Sequence, residues 1–121
     1  MLEEIDFNSD SFEDITGRDP RYNARAYALL MDCISYLGKD KGGHMSGEEI
    51  LDEFKERTLD QYGPLSYDVL TEWGLTSTED IGEMMLNLTE SHRVKRDDSD
   101  SMESFAGGYD FKETFLGPYQ S

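Results

Sequence analysis

A chain of 121 residues is the size of one compact domain, and its 36% hydrophobic and 12% aromatic content supplies a small core, which excludes global disorder. Its 27 acidic residues against 11 basic ones leave a net charge of −16, a field that repels nucleic acid and anionic membrane and draws only basic partners. Cys33 is the single cysteine, so no intramolecular disulfide can form, and no window approaches the roughly 18 apolar residues of a membrane span.

The first residues, Met1 to Asp6, lack both a basic stretch and an apolar stretch of the kind a secretory leader needs, so a cytoplasmic location is expected. Residues 1–18 form an acidic N-terminal arm carrying Phe7, Phe12 and Ile15. It reads as either a frayed end or a short helix around Ser11 to Ile15, and the three apolar side chains favour the docked helix. Asp19 as N-cap and Pro20 at the first helical position then place the start of the first long helix. Tyr22, Ala26, Leu29, Leu30, Cys33 and Leu37 repeat along it at spacings of three and four, until Gly38 and Gly42-Gly43 end it.

Ser46 followed by Glu49 is a capping-box pattern. Behind it Ile50, Leu51, Phe54, Thr58 and Tyr62 mark one face of a second helix, which Gly63-Pro64 stops. Leu65, Val69, Leu70 and Trp73 define a shorter third helix closed by Gly74. Thr76 with Glu79, or Ser77 with Asp80, caps a fourth, whose apolar face is Ile81, Met84, Met85 and Leu88. Gly82 inside that helix costs about 1 kcal/mol relative to Ala, a cost that a close helix crossing would explain.

Beyond Ser91, the run His92 to Arg96, the polar turn Asp97 to Asp100 and the run Ser101 to Phe105 predict a short hairpin within 92–111, with Val94 and Phe105 facing inward. Tyr109, Phe111, Phe115, Leu116 and Tyr119 make the C-terminus too aromatic for a free end. The tail, 112–121, is expected to lie across the helices. Docking holds at Tyr109 and Phe111, whereas the end beyond Gly117-Pro118 is able to fill a groove on a neighbouring subunit and give a tail-exchanged homodimer. The chain thus reads as a single mainly α domain: a four-helix body over 19–91 with a small C-terminal β-hairpin, in winged-helix-like element order.

Winged helices commonly read DNA, yet the helix in the recognition position carries Glu79, Asp80, Glu83 and Glu90 and no basic residue. Residues 46–91 hold 12 acidic residues against 2 basic ones, whereas DNA readers draw much of their affinity from Lys and Arg neutralising phosphates. The scaffold therefore reads as an acidic protein-interaction or regulatory module. Trp73, Met84, Met85 and Met102 form the candidate partner groove, because thioethers repack around varied partners; core filling is the plainer use of the same side chains. Two other readings stay open. Arg93, Lys95 and Arg96 could make a weak nucleic-acid contact, although Asp97, Asp98 and Asp100 follow at once. Dispersed carboxylates and tyrosines could build a small enzyme's site, although no pair stands out for acid–base work.

No catalytic, cofactor or metal motif emerges. Asp98 and Asp100 resemble the opening of a calcium loop, but Glu103 occupies the position where such a loop needs Gly, and Tyr109 stands where its bidentate Glu belongs. Cys33, His44 and His92 lack zinc-ligand spacing. Gly42-Gly43 and Gly107-Gly108 lack the strand, Lys and Ser/Thr context of a phosphate cradle. A protein partner is expected, without cofactor, nucleic acid or membrane.

In combination, Arg18-Asp19-Pro20-Arg21-Tyr22, Ala26-Tyr27, His44-Met45-Ser46-Gly47-Glu48-Glu49-Ile50-Leu51, Leu59-Asp60-Gln61-Tyr62-Gly63-Pro64, Trp73-Gly74, Thr78-Glu79-Asp80-Ile81-Gly82-Glu83 and Gly108-Tyr109-Asp110-Phe111 resemble a conserved hypothetical family found mainly in planctomycetes and verrucomicrobia. The resemblance covers nearly the whole chain. It implies a bacterial, intracellular, stand-alone small protein and brings no activity, substrate or catalytic residue with it.

Overall fold

Phe12 and Ile15, the apolar pair of the acidic arm, are both buried, and Phe12 stacks on Tyr27 at 5.8 Å between ring centroids. In the computed structural model, which describes residues 12–41, 46–94 and 105–119, that pair sets helix α1 (Glu13–Arg18) against the body. Its acids lie in the first turn and Arg18 in the last, as the helix dipole favours. Phe7 lies outside the described residues.

The first long helix starts later than the Asp19-Pro20 pair predicts. Asp19 does not cap it: its carboxylate accepts the Arg21 backbone N–H at 3.2 Å and the guanidinium at 2.8 and 2.7 Å, closing an Asx turn. Helix α2 (Ala24–Lys41) begins behind Asn23, whose side-chain oxygen accepts the Arg25 N–H at 2.8 Å. Helix α3 (Gly47–Tyr62) carries the full capping box, with Glu49 N–H to Ser46 Oγ at 3.1 Å and Ser46 N–H to Glu49 Oε1 at 2.9 Å. The two longest helices make the principal packing pair, burying Leu30, Cys33 and Leu37 from one and Ile50, Leu51 and Phe54 from the other.

A 3₁₀ turn (Gly63–Leu65) leads into the short helix α4 (Ser66–Glu72). The buried Ser66 hydroxyl holds that corner, donating within reach of the Gly63 carbonyl at 2.7 Å and the Thr58 carbonyl at 3.2 Å. Gly74 ends α4 at φ +94°, and a Cβ there would collide with the Arg21 carbonyl, so only glycine lets the Asp19–Asn23 turn lie on this end. Asn23 N–H donates to the Trp73 carbonyl at 3.1 Å across the same contact. Helix α5 (Thr78–Glu90) follows, burying Ile81, Gly82, Met84, Met85 and Leu88.

The expected hairpin is not found: no strand occurs among the described residues, and the wing and the winged-helix order go with it. His92, at φ 65°, and Arg93 wind off the end of α5, with Arg93 N–H bonding back to the Leu88 carbonyl at 2.9 Å. Phe105 has 3₁₀ backbone, not strand, and turns follow it. Residues 95–104, which include the expected polar turn, lie outside the described set. The physical reason is the local competition: a helix C-terminus bonding back through a left-handed residue satisfies the same N–H groups that a strand would offer.

The chain returns through Phe105–Asp110 to helix α6 (Phe111–Phe115), capped by Asp110, which accepts Lys112 N–H at 2.9 Å and Glu113 N–H at 3.2 Å. Phe111 and Phe115 are buried in the chain's own core, 5.1 Å apart, and Tyr109 hydrogen-bonds the Leu51 carbonyl at 2.9 Å. Thr78 pins the return by donating to the Phe105 carbonyl and accepting Gly108 N–H at 3.1 Å. A last 3₁₀ turn (Gly117–Tyr119) leaves Tyr119 exposed.

Candidate functional site

An apolar groove of about 320 Å³ opens where the end of α3, the 3₁₀ turn and α4 meet the first turn of α2. Its floor follows from spacing: Leu65, Val69 and Trp73 recur every four residues and share one face of α4, while Leu70 points into the core and is fully buried. Exposure falls along that face, from 61% at Leu65 through the half-buried Val69 to 7% at Trp73. Tyr62 walls one side, its ring perpendicular to the indole at 87° and 5.7 Å from it. Asp68 and Glu72, also four apart, line the groove with exposed carboxylates beside the apolar row, and among the described residues Arg25 is the one cation that lines it.

Of the residues expected to form a partner groove, Trp73 is the one among the described residues that stands at this groove. Met84 and Met85 are buried in the core at 0% and 3% exposure, and Met102 lies outside the described residues. Leu65, Val69 and Tyr62 are legible in the sequence as apolar positions but not as a groove, because their exposure depends on how the 3₁₀ corner sets α4 beside the end of α3.

Helix α5 does not present its acids as a free face. Asp80 accepts the Tyr22 hydroxyl at 2.7 Å together with Thr76 and Ser77 N–H groups, Glu83 meets Arg21 at 3.3 Å, and Glu90 lies 3.9 Å from Arg18. Asn87 donates to both Asp19 and the Tyr27 hydroxyl at 2.9 Å. Burial and the Asp80 carboxylate hold the Tyr22 phenol above its ordinary range, and the Arg21 guanidinium holds the Asp19 carboxyl well below its own. Asp80, Glu83 and Asn87 thus join α5 to the turn ahead of α2, Glu90 faces Arg18 at the end of α1, and Glu79 is exposed.

Arg93, the first of the three basic residues suggested for a phosphate contact, is already engaged: its guanidinium takes both oxygens of Asp14 at 2.9 and 3.0 Å and lies 5.2 Å over the Phe12 ring. Lys95 and Arg96 lie outside the described residues, as do Asp98, Asp100, Glu103 and His44. Among the described residues no group of three or more His, Cys, Asp or Glu side chains is placed to hold a metal ion, and no helix is long and apolar enough to cross a membrane.

A second depression, of about 370 Å³, does bring Glu48 and Asp52 near Tyr109. Both carboxylates are exposed on α3, and the Tyr109 hydroxyl is committed to the Leu51 carbonyl. Burial drives that phenol far above its ordinary value, which removes it from acid–base work near neutrality. The Cys33 thiol is pushed up to about 12 by burial between α2 and α3, so it is no nucleophile in the folded chain.

No protein-family model, no characterised protein and no solved structure matches this chain.

Proposed function

We propose that this chain is an acidic protein-interaction module that acts in the cytoplasm by holding a basic partner protein. The observation that carries this is the groove at Leu65, Val69, Tyr62 and Trp73: an apolar face left open beside the carboxylates of Asp68 and Glu72, on a protein of net charge −16. DNA binding finds no support, since α5 carries acids that are tied to the N-terminal turn and Arg93 is paired with Asp14. An enzyme finds none either, because the carboxylates that face a depression with a tyrosine are exposed and that tyrosine's hydroxyl is spent on a backbone carbonyl. The test is isolation of the native protein at physiological salt. A stoichiometric protein partner should co-elute and rebind the purified chain. Elution alone under every condition, or binding of random duplex DNA tighter than the roughly 10⁻⁴ to 10⁻⁶ M of nonspecific binders, overturns the proposal.

A further inference from the structure

We infer that the groove on α4 takes a short peptide segment of the partner in which one bulky apolar side chain is flanked by lysine or arginine. This rests on the interaction-module reading and adds the site and the chemistry of its occupant.

Four observations meet at one place. Leu65 is the most exposed large hydrophobic side chain among the described residues, and it begins the row that ends on the nearly buried Trp73, so the row deepens like a slot. The perpendicular Tyr62 and Trp73 rings close the deep end with an aromatic corner, a surface suited to an aliphatic or aromatic anchor. Asp68 and Glu72 run parallel to the apolar row at the same four-residue spacing, so a ligand with its anchor in the slot brings its neighbouring residues over two carboxylates. Finally, the volume of about 320 Å³ sits at the small end of ligand pockets, enough for one or two side chains and too little for a helix laid along its length.

Charge decides the class of occupant. A second copy of this chain brings another −16, and an acidic segment meets Asp68 and Glu72 with like charge. A segment carrying Lys or Arg gains attraction from those carboxylates and from the whole molecule, and the single charge of Arg25 on the lining does not offset them.

The inference is tested by selecting from a displayed library of random twelve-residue peptides on the intact chain, then measuring synthetic versions of the enriched sequences. Trp73 is the only tryptophan, so its emission reads groove occupancy directly. Enriched peptides should share one bulky apolar residue within three positions of Lys or Arg and shift Trp73 emission. They should bind at least tenfold more weakly to Leu65→Glu and to Asp68→Lys, and weaken as salt rises. Both changes fall on exposed positions, and circular dichroism confirms the helices of each variant. Failure to enrich any peptide, enrichment of peptides without basic residues, or equal binding to Leu65→Glu overturns the inference. If the natural partner of the chain binds Leu65→Glu unchanged, the module reading stands and this groove is not its contact.

Discussion

Tyr22 donates its hydroxyl to one oxygen of Asp80 at 2.7 Å, while the other oxygen of that carboxylate takes the N–H groups of Thr76 and Ser77 at 2.9 and 3.2 Å. A single side chain thus caps α5 and fastens it to the turn ahead of α2. Asp80→Ala should cost about 2.5 to 4 kcal/mol, from a lost cap of about 1 and a lost charged hydrogen bond of about 1.5 to 3. Tyr22→Phe removes the second part alone. Urea unfolding of both single variants and the double variant should give a coupling of about 1 kcal/mol or more; strict additivity would show that the bond adds nothing to stability.

Gly74 and Gly107 offer a contrast between strain and collision. Both have positive φ, +94° and +66°, but a Cβ at Gly107 meets open space whereas one at Gly74 runs into the Arg21 carbonyl. Gly107→Ala should cost about 1 to 2 kcal/mol, the penalty for an L residue in the left-handed region. Gly74→Ala adds a clash of about 1 to 3 kcal/mol to the same penalty. Equal midpoints for the two variants would mean that the turn over α4 yields freely.

The C-terminal segment is an integral part of the core. Phe115 is fully buried and Tyr109 is tied to Leu51, so Phe115→Ala should cost about 3 to 5 kcal/mol and Tyr109→Phe about 1. Deleting residues 107–121 should lower the unfolding midpoint and expose dye-binding surface. A truncated chain as stable as its parent contradicts this packing.

Alkaline unfolding should start near pH 9 to 10. Burial raises the phenols of Tyr22, Tyr27 and Tyr109 above their ordinary value and pushes the Cys33 thiol up to about 12. Each group has its folded pKa above its unfolded one, so its contribution is complete below the unfolded values of about 8.5 and 10 and is lost as pH rises beyond them. The three phenols should ionise together with the loss of helical circular dichroism. Phenolate absorbance from these tyrosines that rises well before the helices melt would show that the rings are open to water.

Asp19 has the opposite sign. Its carboxyl is held low, first by Arg21 and then by Asn87, so its stabilising contribution is present above the unfolded value of about 3.9 and is lost as pH falls below it. Asp19→Asn should therefore destabilise the protein at pH 7 and narrow its gap from the parent in acid. A constant gap from pH 7 to pH 2 would assign Asp19 a purely geometric role.

What was legible in the sequence was what repeats locally. The three- and four-residue spacing of Ala26, Leu30, Cys33 and Leu37, and the Ser46–Glu49 pair, mark α2 and α3 because those interactions lie within one or two turns. The Asp19-Pro20 pair misplaced the start of α2, since an Asp before Pro serves an Asx turn as well as a cap. Val94 and Phe105 looked like inward strand residues, and both are buried, but not from strands. Periodicity gives burial without giving the backbone that achieves it. Met84 and Met85 take the plainer of the two uses open to them, core filling, because flexible thioethers fill a core as readily as they line a surface.

The clasp between Asp14 and Arg93 spans 79 positions of the chain, and it bears on the order in which the protein assembles. A ribosome that has released α1, α2 and α3 has not yet exposed Arg93, so Phe12 can already stack on Tyr27 while Asp14 still lacks its guanidinium. Helix α1 is thus synthesised well before the guanidinium that fastens it. A pause in translation before residue 93 would prolong the interval during which the Phe12 ring lacks the guanidinium that lies over it, and transiently exposed apolar surface of this kind is what chaperones bind.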